Sequence, residues 1–176
     1  MVTDVNNSTS ALRWLWITVL VILLDLGTKY WADAALIYAQ PVPILPFFDL
    51  TLLYNYGAAF SFLAGAGGWQ RWFFAGIAIG MSVFLLVWLK RTPAQEWWMR
   101  LALALVLGGA LGNLYDRIIH GYVVDFISLH YGGWYFPAFN IADTAITLGA
   151  VLLIIDMLFL AERRKLLSPS SEEDLK

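Results

Sequence analysis

Four long apolar runs constrain the fold of this chain more than any other feature of its sequence. A helix needs roughly 20 apolar residues to cross the hydrocarbon layer of a membrane. Runs of this kind cover residues 12–32, 69–89, 97–115 and 142–161. Only 14% of the residues are charged, whereas an ordinary soluble domain has about 25%. The sequence therefore predicts a mainly α membrane protein, a four-transmembrane-helix bundle that forms a single domain over residues 1–176.

The distribution of Lys and Arg predicts the orientation of this bundle. Four spans place both termini on one side, and most of the basic residues lie there, which is typical of the cytoplasmic side. Residues 33–68 and 116–141 then face the periplasm, and polar tails cover residues 1–11 and 166–176. A cleaved signal peptide is the alternative for the first run. Its apolar core is longer than the usual span of about 7–15 residues, so we expect a retained helix.

The outward segments contain strand patterns. "FFDLTLLYN", residues 47–55, alternates between two sets of side chains with the period of two that is typical of a strand. "ISLHYGGWYFPAF", residues 127–139, indicates two short strands around a turn at Gly132 and Gly133. "AGAGG", residues 64–68, indicates a flexible joint. We expect a small β-element on the outer face of the membrane.

Two sets of polar residues at helical spacing lie at the outer ends of the first and third spans. Asn113, Asp116 and Arg117 stand at positions i, i+3 and i+4, so they share one helix face. Asp25 and Lys29 are four residues apart and also share a face. Ionisable residues in or near spans are energetically costly, and a functional site is the leading hypothesis for them.

Polar residues from other segments reach the same level of the membrane. "NIAD" predicts a capping box in which Asn140 begins the fourth helix and Asp143 lies at its positive end. Asp125 follows the third span in outward-facing chain. "YNYGAAFSF" adds Asn55, together with small residues such as Gly57 that permit close backbone approach. A single such residue could mark the membrane interface, but their alignment in depth favours a site.

Two carboxyl groups that face each other would supply a specific chemistry. They cannot both ionise comfortably, so one holds a proton near neutral pH. One can take a proton from water while the other donates to a carbonyl oxygen, which is aspartyl peptide hydrolysis without a metal or other cofactor. A transporter or flippase with a carboxylate relay and a non-catalytic assembly factor are the alternatives. The residues alone leave open which aspartates pair among Asp25, Asp49, Asp116, Asp125 and Asp143.

Composition excludes several other classes of function. Cysteine is absent, which removes disulfides, thiolate metal sites and cysteine nucleophiles. The two histidines form no HExxH motif, so a zinc protease is not indicated. The net charge of −2 gives no indication of a nucleic-acid partner.

Four blocks of sequence resemble, in order and spacing, the motif blocks of the bacterial lipoprotein signal peptidases (signal peptidase II). They are "DLGTKYW" at 25–31, "YNYGAAFSFL" at 54–63, "GGALGNLYDRIIHGYVVDFI" at 108–127 and "FNIADTAITLG" at 139–149. The resemblance implies an intramembrane aspartyl endopeptidase that removes the signal peptide from diacylglyceryl-modified prolipoproteins, cutting just before the lipidated cysteine. It also implies an outward-facing β-cradle and a short periplasmic helix.

The same resemblance assigns roles to individual residues. It implies that Asp125 and Asp143 are the catalytic pair and that no metal or cofactor takes part. Residues that would bind substrate or support the site are Asp25, Lys29, Asn55, Gly57, Asn113, Asp116, Arg117 and Asn140. The expected partners are lipidated prolipoproteins and membrane lipid, and we expect a monomer in the bacterial inner membrane with its active site near the periplasmic face.

Asp156 lies apart from this site, in the cytoplasmic half of the fourth span. A buried carboxylate within the membrane needs a partner. Arg100 and Arg13 are the candidates for that partner, and a carboxylate that reaches the membrane interface is the alternative.

Overall fold

The computed structural model describes residues 11–57 and 67–160. Its helices are α1 (Leu15–Ala35), α2 (Gln70–Arg91), α3 (Trp97–Ile119) and α4 (Ile141–Ile155), and a π-helical turn (Asp156–Leu160) continues α4. With this turn included, all four are long and apolar enough to cross a membrane, so the predicted four-helix membrane fold is confirmed. Helix α3 continues beyond residue 115, where the apolar pattern had placed its end, and its last turn carries Asp116 and Arg117.

Helix α3 is the centre of the bundle and is the most buried of the four spans. It packs against α1, α2 and α4. Helix α2 contributes a narrow stripe of buried residues at helical spacing, namely Ala75, Ser82, Leu85 and Leu89. Most of the remaining α2 surface consists of exposed apolar side chains, as expected for a helix that faces lipid.

Adjacent glycines let α3 approach two neighbours at once. A Cβ atom at Gly108 would lie 2.7 Å from the Cβ of Val21 on α1. A Cβ atom at Gly109 would collide with the carbonyl oxygen of Ala142 on α4. Small residues are what close helix packing in a membrane requires, so these two glycines permit the close approach of α3 to α1 and to α4.

The outward segments form a four-stranded antiparallel sheet in the order β1-β2-β3-β4. The strands are β1 (Val42–Leu45), β2 (Phe48–Asn55), β3 (Val123–Tyr131) and β4 (Trp134–Tyr135). The predicted β-element is therefore present. The pairing of β2 with β3 shifts register between Leu50 and Leu53, and the alternating burial along β2 is interrupted at the same place.

The turn between β3 and β4 lies at Gly132 and Gly133, as the sequence predicted. Both residues have positive φ angles, 57° and 85°, which glycine adopts without steric cost. Strand β4 contains only two residues because Pro137, which follows shortly after it, has no N–H group for further pairing. Strand β3 begins earlier than the predicted strand, at Val123, and therefore includes Asp125.

The chain after β4 returns along β3 before it enters α4. The N–H of Phe139 donates to the carbonyl of Ile127, and the N–H of Ile127 donates to the carbonyl of Phe139. This pair of hydrogen bonds fixes the next residue, Asn140, and the start of α4 close to Asp125.

Some predictions concern residues outside the described ranges. These are the polar tails, apart from Ala11, and residues 64–66 of the joint. In the outward stretches that the structure describes, residues 36–57, 67–69 and 120–140, there are strands and turns but no helix. The short periplasmic helix therefore stays a prediction.

The substitution Gly109→Ala tests the close approach of α3 and α4. We expect it to lower the free energy of unfolding by about 1–3 kcal/mol, the usual effect of overpacking. Thermal unfolding in detergent measures this. The matched control is Gly80→Ala on α2, where a Cβ atom would meet nothing within 4 Å. That change should be neutral or stabilising by up to about 1 kcal/mol, and equal effects at both positions would contradict the proposed packing role.

Candidate active site

The ammonium group of Lys29 lies at the centre of a buried polar cluster at the outer end of the bundle. Its Nζ is 2.7 Å from Oδ2 of Asp25 and 3.0 Å from Oδ2 of Asp116. It also donates a hydrogen bond of 2.9 Å to Oδ1 of Asn113. Only 3% of the Lys29 side chain is exposed. Since an ammonium has three donors, all three have an acceptor within reach, and one cation faces two buried carboxylates.

The two carboxylates also accept hydrogen bonds from other elements of the fold. Oδ1 of Asp25 accepts from the backbone N–H of Ala142 at 2.9 Å, in the first turn of α4. Oδ2 of Asp116 accepts from the N–H of Val124 at 3.1 Å, in β3. Gly112 provides the space, because a Cβ atom there would lie 2.5 Å from Oδ2 of Asp25. The cluster therefore connects α1, α3, β3 and α4.

The amide of Asn113 is oriented by its neighbours. Its Oδ1 accepts from Lys29 and, at 3.2 Å, from Nδ2 of Asn140. Its Nδ2 consequently points the other way and donates to Oδ1 of Asp143 at 2.7 Å. Two donors on the oxygen leave only one orientation of this amide that satisfies the contacts.

Asn140 begins α4 and contacts both predicted catalytic aspartates. Its Oδ1 accepts from the N–H of Asp143 at 2.9 Å, and its own N–H donates to Oδ2 of Asp143 at 3.3 Å. The predicted capping box is therefore confirmed. The remaining group, Nδ2, donates to Oδ1 of Asp125 at 2.7 Å. One side chain thus connects the first turn of α4 with β3.

Asp125 is almost completely buried, with 3% of its surface exposed. Its Oδ2 accepts a hydrogen bond of 3.2 Å from Nδ2 of Asn55 at the end of β2. Burial and, second, the negative charge of Asp143 raise the pKa of Asp125 to about 7, against the opposing effect of the amide donors. A carboxyl group with this pKa exchanges its proton near neutral pH, as an acid–base catalyst requires.

Arg117 closes one side of the cluster. Its guanidinium donates to the carbonyl oxygen of Gly57 at 3.1 Å and to that of Asn113 at 3.2 Å. It also lies over the ring of Phe74 on α2, 5.5 Å from the ring centroid. Its positive charge acts on the nearby aspartates. The N–H of Gly57 donates to Oδ1 of Asn55, so Arg117 and Asn55 together fix the chain after β2.

The structure brings all ten predicted site residues into one connected set of hydrogen bonds and ion pairs. Asp49, which the residues alone left open as a member of the pair, lies elsewhere. Its Oδ2 is 3.2 Å from Nε2 of His130 on the sheet. The carboxylates of Asp25 and Asp116 both contact Lys29. Asp125 and Asp143 accept hydrogen bonds from amide side chains and from the backbone.

Sequence reasoning missed three parts of the site. The backbone of Val124 contributes both its N–H, to Asp116, and its carbonyl, to Asn140. The N–H of Ala142 contacts Asp25, and Phe74 lies beneath Arg117. Backbone groups have no residue-type signal, and an aromatic residue in an apolar span resembles any other lipid-facing residue, so no pattern could have identified them.

Comparison with known proteins identifies the family of this chain. The family model described as Signal peptidase (SPase) II matches residues 17–159. A Lipoprotein signal peptidase of Yersinia enterocolitica is 55% identical over 147 residues, which cover 84% of this chain and 87% of that protein. A Lipoprotein signal peptidase of Pseudomonas syringae pv. tomato is 55% identical over 154 residues, which cover 86% of this chain and 89% of the relative.

Solved structures show the same fold. A bacterial membrane enzyme determined by the in meso method at 2.3 Å resolution is 35% identical, with a TM-score of 0.75 over 83% of this chain and 87% of that one. A second, at 1.9 Å resolution, is 34% identical, with a TM-score of 0.74 over 84% and 93% of the two chains. The family match covers most of the chain, and the relatives exceed half identity. The chain therefore belongs to the signal peptidase II family.

Proposed function

We propose that this chain is an intramembrane aspartyl endopeptidase that removes the signal peptide from diacylglyceryl-modified prolipoproteins, cutting just before the lipidated cysteine. Family membership and the name Lipoprotein signal peptidase of its relatives support the substrate class. The observation that carries the catalytic assignment is the contact of Asn140 with both Asp125 and Asp143. Membership of a peptidase family favours this function over a transporter or an assembly factor.

In the proposed reaction, the two aspartates exchange protons with water and with the scissile peptide. Asp143, whose oxygens both accept hydrogen bonds, takes a proton from water as the water oxygen attacks the carbonyl carbon. Asp125 donates its proton to the carbonyl oxygen, which gives a neutral tetrahedral intermediate. When the C–N bond breaks, Asp143 passes its proton to the departing amine and Asp125 recovers one from the intermediate. No cofactor enters this scheme.

The supporting residues keep this pair in its working geometry. Asn113 and Asn140 direct amide donors at the aspartates, and Lys29 orients Asn113. Arg117 adds positive charge close to the pair and fixes Gly57. Positioning of this kind makes a large contribution to catalysis because the donors need no reorganisation during the reaction.

The protein is a multi-pass protein of the bacterial inner membrane. We propose that both termini are cytoplasmic and that the active site lies near the periplasmic face. The excess of basic residues at the opposite end of the bundle supports this orientation. A lipid-anchored substrate presents its scissile bond close to the membrane surface, which is the depth of the site. Both aspartates come from one chain, so we propose that a monomer is active.

Replacement of either aspartate by asparagine tests the catalytic assignment. We expect Asp125→Asn and Asp143→Asn each to lower the cleavage rate at least about 100-fold, because each removes the group that transfers a proton. The measurement is cleavage of a purified diacylglyceryl prolipoprotein in detergent with a chelator present. Asp33→Asn is the matched control, since Asp33 is exposed and accepts a hydrogen bond from Tyr54 outside the cluster.

The wild type should cut at its normal rate despite the chelator, and Asp33→Asn should remain active. If a folded Asp125→Asn or Asp143→Asn variant also cuts normally, the proposed pair is wrong. Asp25 or Asp116 would then be the next candidate.

The pH dependence of cleavage tests the role of Asp125 as the acid. Its pKa is raised to about 7, so the proton that it donates is present below that pH and is lost as the pH rises through it. We expect kcat/KM to fall above about pH 7. Because the Asn55 amide favours the ionised form, Asn55→Ala should move the falling limb to higher pH. Profiles between about pH 5 and 9 measure this, and a shift to lower pH would contradict the assignment.

Arg117→Ala tests the contribution of the guanidinium. We expect a loss of at least about 10-fold in kcat in a folded protein, because the positive charge beside the negatively charged aspartate pair and the hold on Gly57 both disappear. The control is Arg91→Ala, at the far end of α2, which should be active. Arg117→Lys separates the two effects, since lysine keeps the charge but lacks the planar fork. Full activity of Arg117→Ala would rule out a role in the site.

A further inference from the structure

The outer end of α2 contacts the last turn of α3 and the turn that follows it. The guanidinium of Arg71 donates to the carbonyl oxygen of Ile118, one of the acceptors that a helix end leaves without an intrahelical partner. A Cβ atom at Gly121, in the turn before β3, would lie 3.3 Å from Nη1 of Arg71. One turn further along α2, the ring of Phe74 lies under the guanidinium of Arg117. The outer end of α2 is therefore anchored to the helix end that carries Arg117.

Phe74 differs from the aromatic residues next to it on α2. Trp72 and Phe73 are 63% and 48% exposed, as expected of side chains that face lipid, whereas Phe74 is partly buried. The ring of Phe73 contacts that of Phe74 edge to face, with 5.4 Å between the ring centroids. The Phe74 ring is therefore directed towards a charged group inside the bundle and is packed against a second ring.

The contacts of Arg117 leave its charge close to the aspartates without an ion pair to either. Its Nη1 and Nη2 donate to the carbonyl oxygens of Asn113 and Gly57, and its Cζ lies 5.5 Å from the centroid of the aromatic ring. None of the ion pairs among the described residues joins Arg117 to a carboxylate, although its charge interacts with Asp125 and Asp143. A guanidinium and a carboxylate readily form a bidentate pair, so the position of Arg117 depends on what else holds it.

A direct ion pair between Arg117 and either aspartate would oppose the proposed reaction. A guanidinium in contact with a carboxylate favours its ionised form, and an ionised Asp125 has no proton to donate. The same contact at Asp143 would weaken its ability to take a proton from water. A cation held near the pair, but not in contact with it, reduces the repulsion between the two carboxyl groups while Asp125 keeps its proton.

We propose that Phe74 is a positioning residue, which holds the guanidinium of Arg117 away from a direct ion pair with Asp125 or Asp143. This inference rests on the proposed function. The face of the ring attracts the cation, and the two carbonyl groups fix the orientation of the guanidinium. The contacts of Arg71 fix the ring relative to α3. Helix α2, most of whose surface faces lipid, thus contributes to the site through one side chain.

Replacement of the ring tests this role. Phe74→Leu keeps an apolar side chain but removes the aromatic face, and we expect kcat to fall about three- to tenfold with little change in KM. Phe74→Met is a second variant without a ring and has the same expectation. Phe74→Tyr keeps the face and should retain the wild-type kcat within about twofold. The control is Phe84→Leu further along the same helix, where Phe84 is 55% exposed, and it should leave kcat unchanged.

The pH profile distinguishes positioning from general damage to the fold. The charged groups around the pair come from three helices, and they are Asp25 and Lys29 on α1, Asp116 and Arg117 on α3, and Asp143 on α4. Phe74→Leu releases only Arg117, which the negative charge of the pair then attracts. Because that contact favours the ionised form of Asp125, the falling limb of kcat/KM should move to lower pH by about half a unit or more. Phe74→Tyr should keep the wild-type profile.

A double variant tests whether Phe74 acts through Arg117. If it does, Phe74→Leu should change neither kcat nor the pH profile when Arg117 is already alanine, because two changes to one interaction are not additive. A further loss of kcat in the double variant, equal to the loss in Phe74→Leu alone, would show an independent structural role and overturn the proposal. Thermal unfolding in detergent verifies that each variant is folded.

The outcomes separate this inference from the proposed function. If the wild type cuts the lipidated prolipoprotein but Phe74→Leu and Phe74→Met leave kcat and the falling limb unchanged, the role of Phe74 is overturned and the peptidase assignment stands. A shift of the limb to higher pH overturns it as well. If the wild type cuts no lipidated substrate, the proposed function fails and the inference fails with it.

Discussion

The buried ammonium of Lys29 is the interaction on which the rest of the site depends. Two carboxylates and one amide contact this charge, and through the two carboxylates it connects four structural elements. Loss of one member of a buried charged set costs about 3–5 kcal/mol, because its partners stay buried without compensation. The cluster therefore stabilises the fold and also sets the geometry of the proposed catalytic groups. The cluster has room to form because residue 112 is a glycine, and a Cβ atom there would collide with the carboxylate of Asp25.

From this charge, hydrogen bonds run in a defined direction to each aspartate. Lys29 occupies the oxygen of Asn113, so the amide nitrogen of Asn113 faces Asp143. The backbone N–H of Asp143 occupies the side-chain oxygen of Asn140, so the side-chain nitrogen of Asn140 faces Asp125. Both aspartates receive a donor whose orientation is imposed from outside the pair. The site is therefore preorganised before substrate arrives, which is how an enzyme avoids reorganisation during the chemical step.

The sequence predicted the parts of this arrangement that depend on local spacing. Apolar runs located the helices, the i, i+4 spacing joined Asp25 to Lys29, and "NIAD" indicated the cap at Asn140. Lys29 and Asn113 are in contact although they lie 84 positions apart in the sequence. Contacts of this kind depend on how the helices pack against each other, and no local sequence pattern predicts that packing. For the same reason, the residues alone could not choose a pair of aspartates. The family resemblance made that choice, and the fold places the two residues on either side of Asn140.

The capping box at the start of α4 has a consequence for inhibition of this enzyme. Asp143 and Asn140 fold the first turn of the helix with side-chain atoms that belong to the proposed catalytic site, at which a site-directed inhibitor would be aimed. A helix cap contributes about 0.5–2 kcal/mol to stability. Substitutions at these positions that weaken the binding of an inhibitor would also weaken the helix that carries the proposed catalytic residue Asp143. Resistance by mutation should therefore arise at the periphery of the site, where side chains do not also hold the fold.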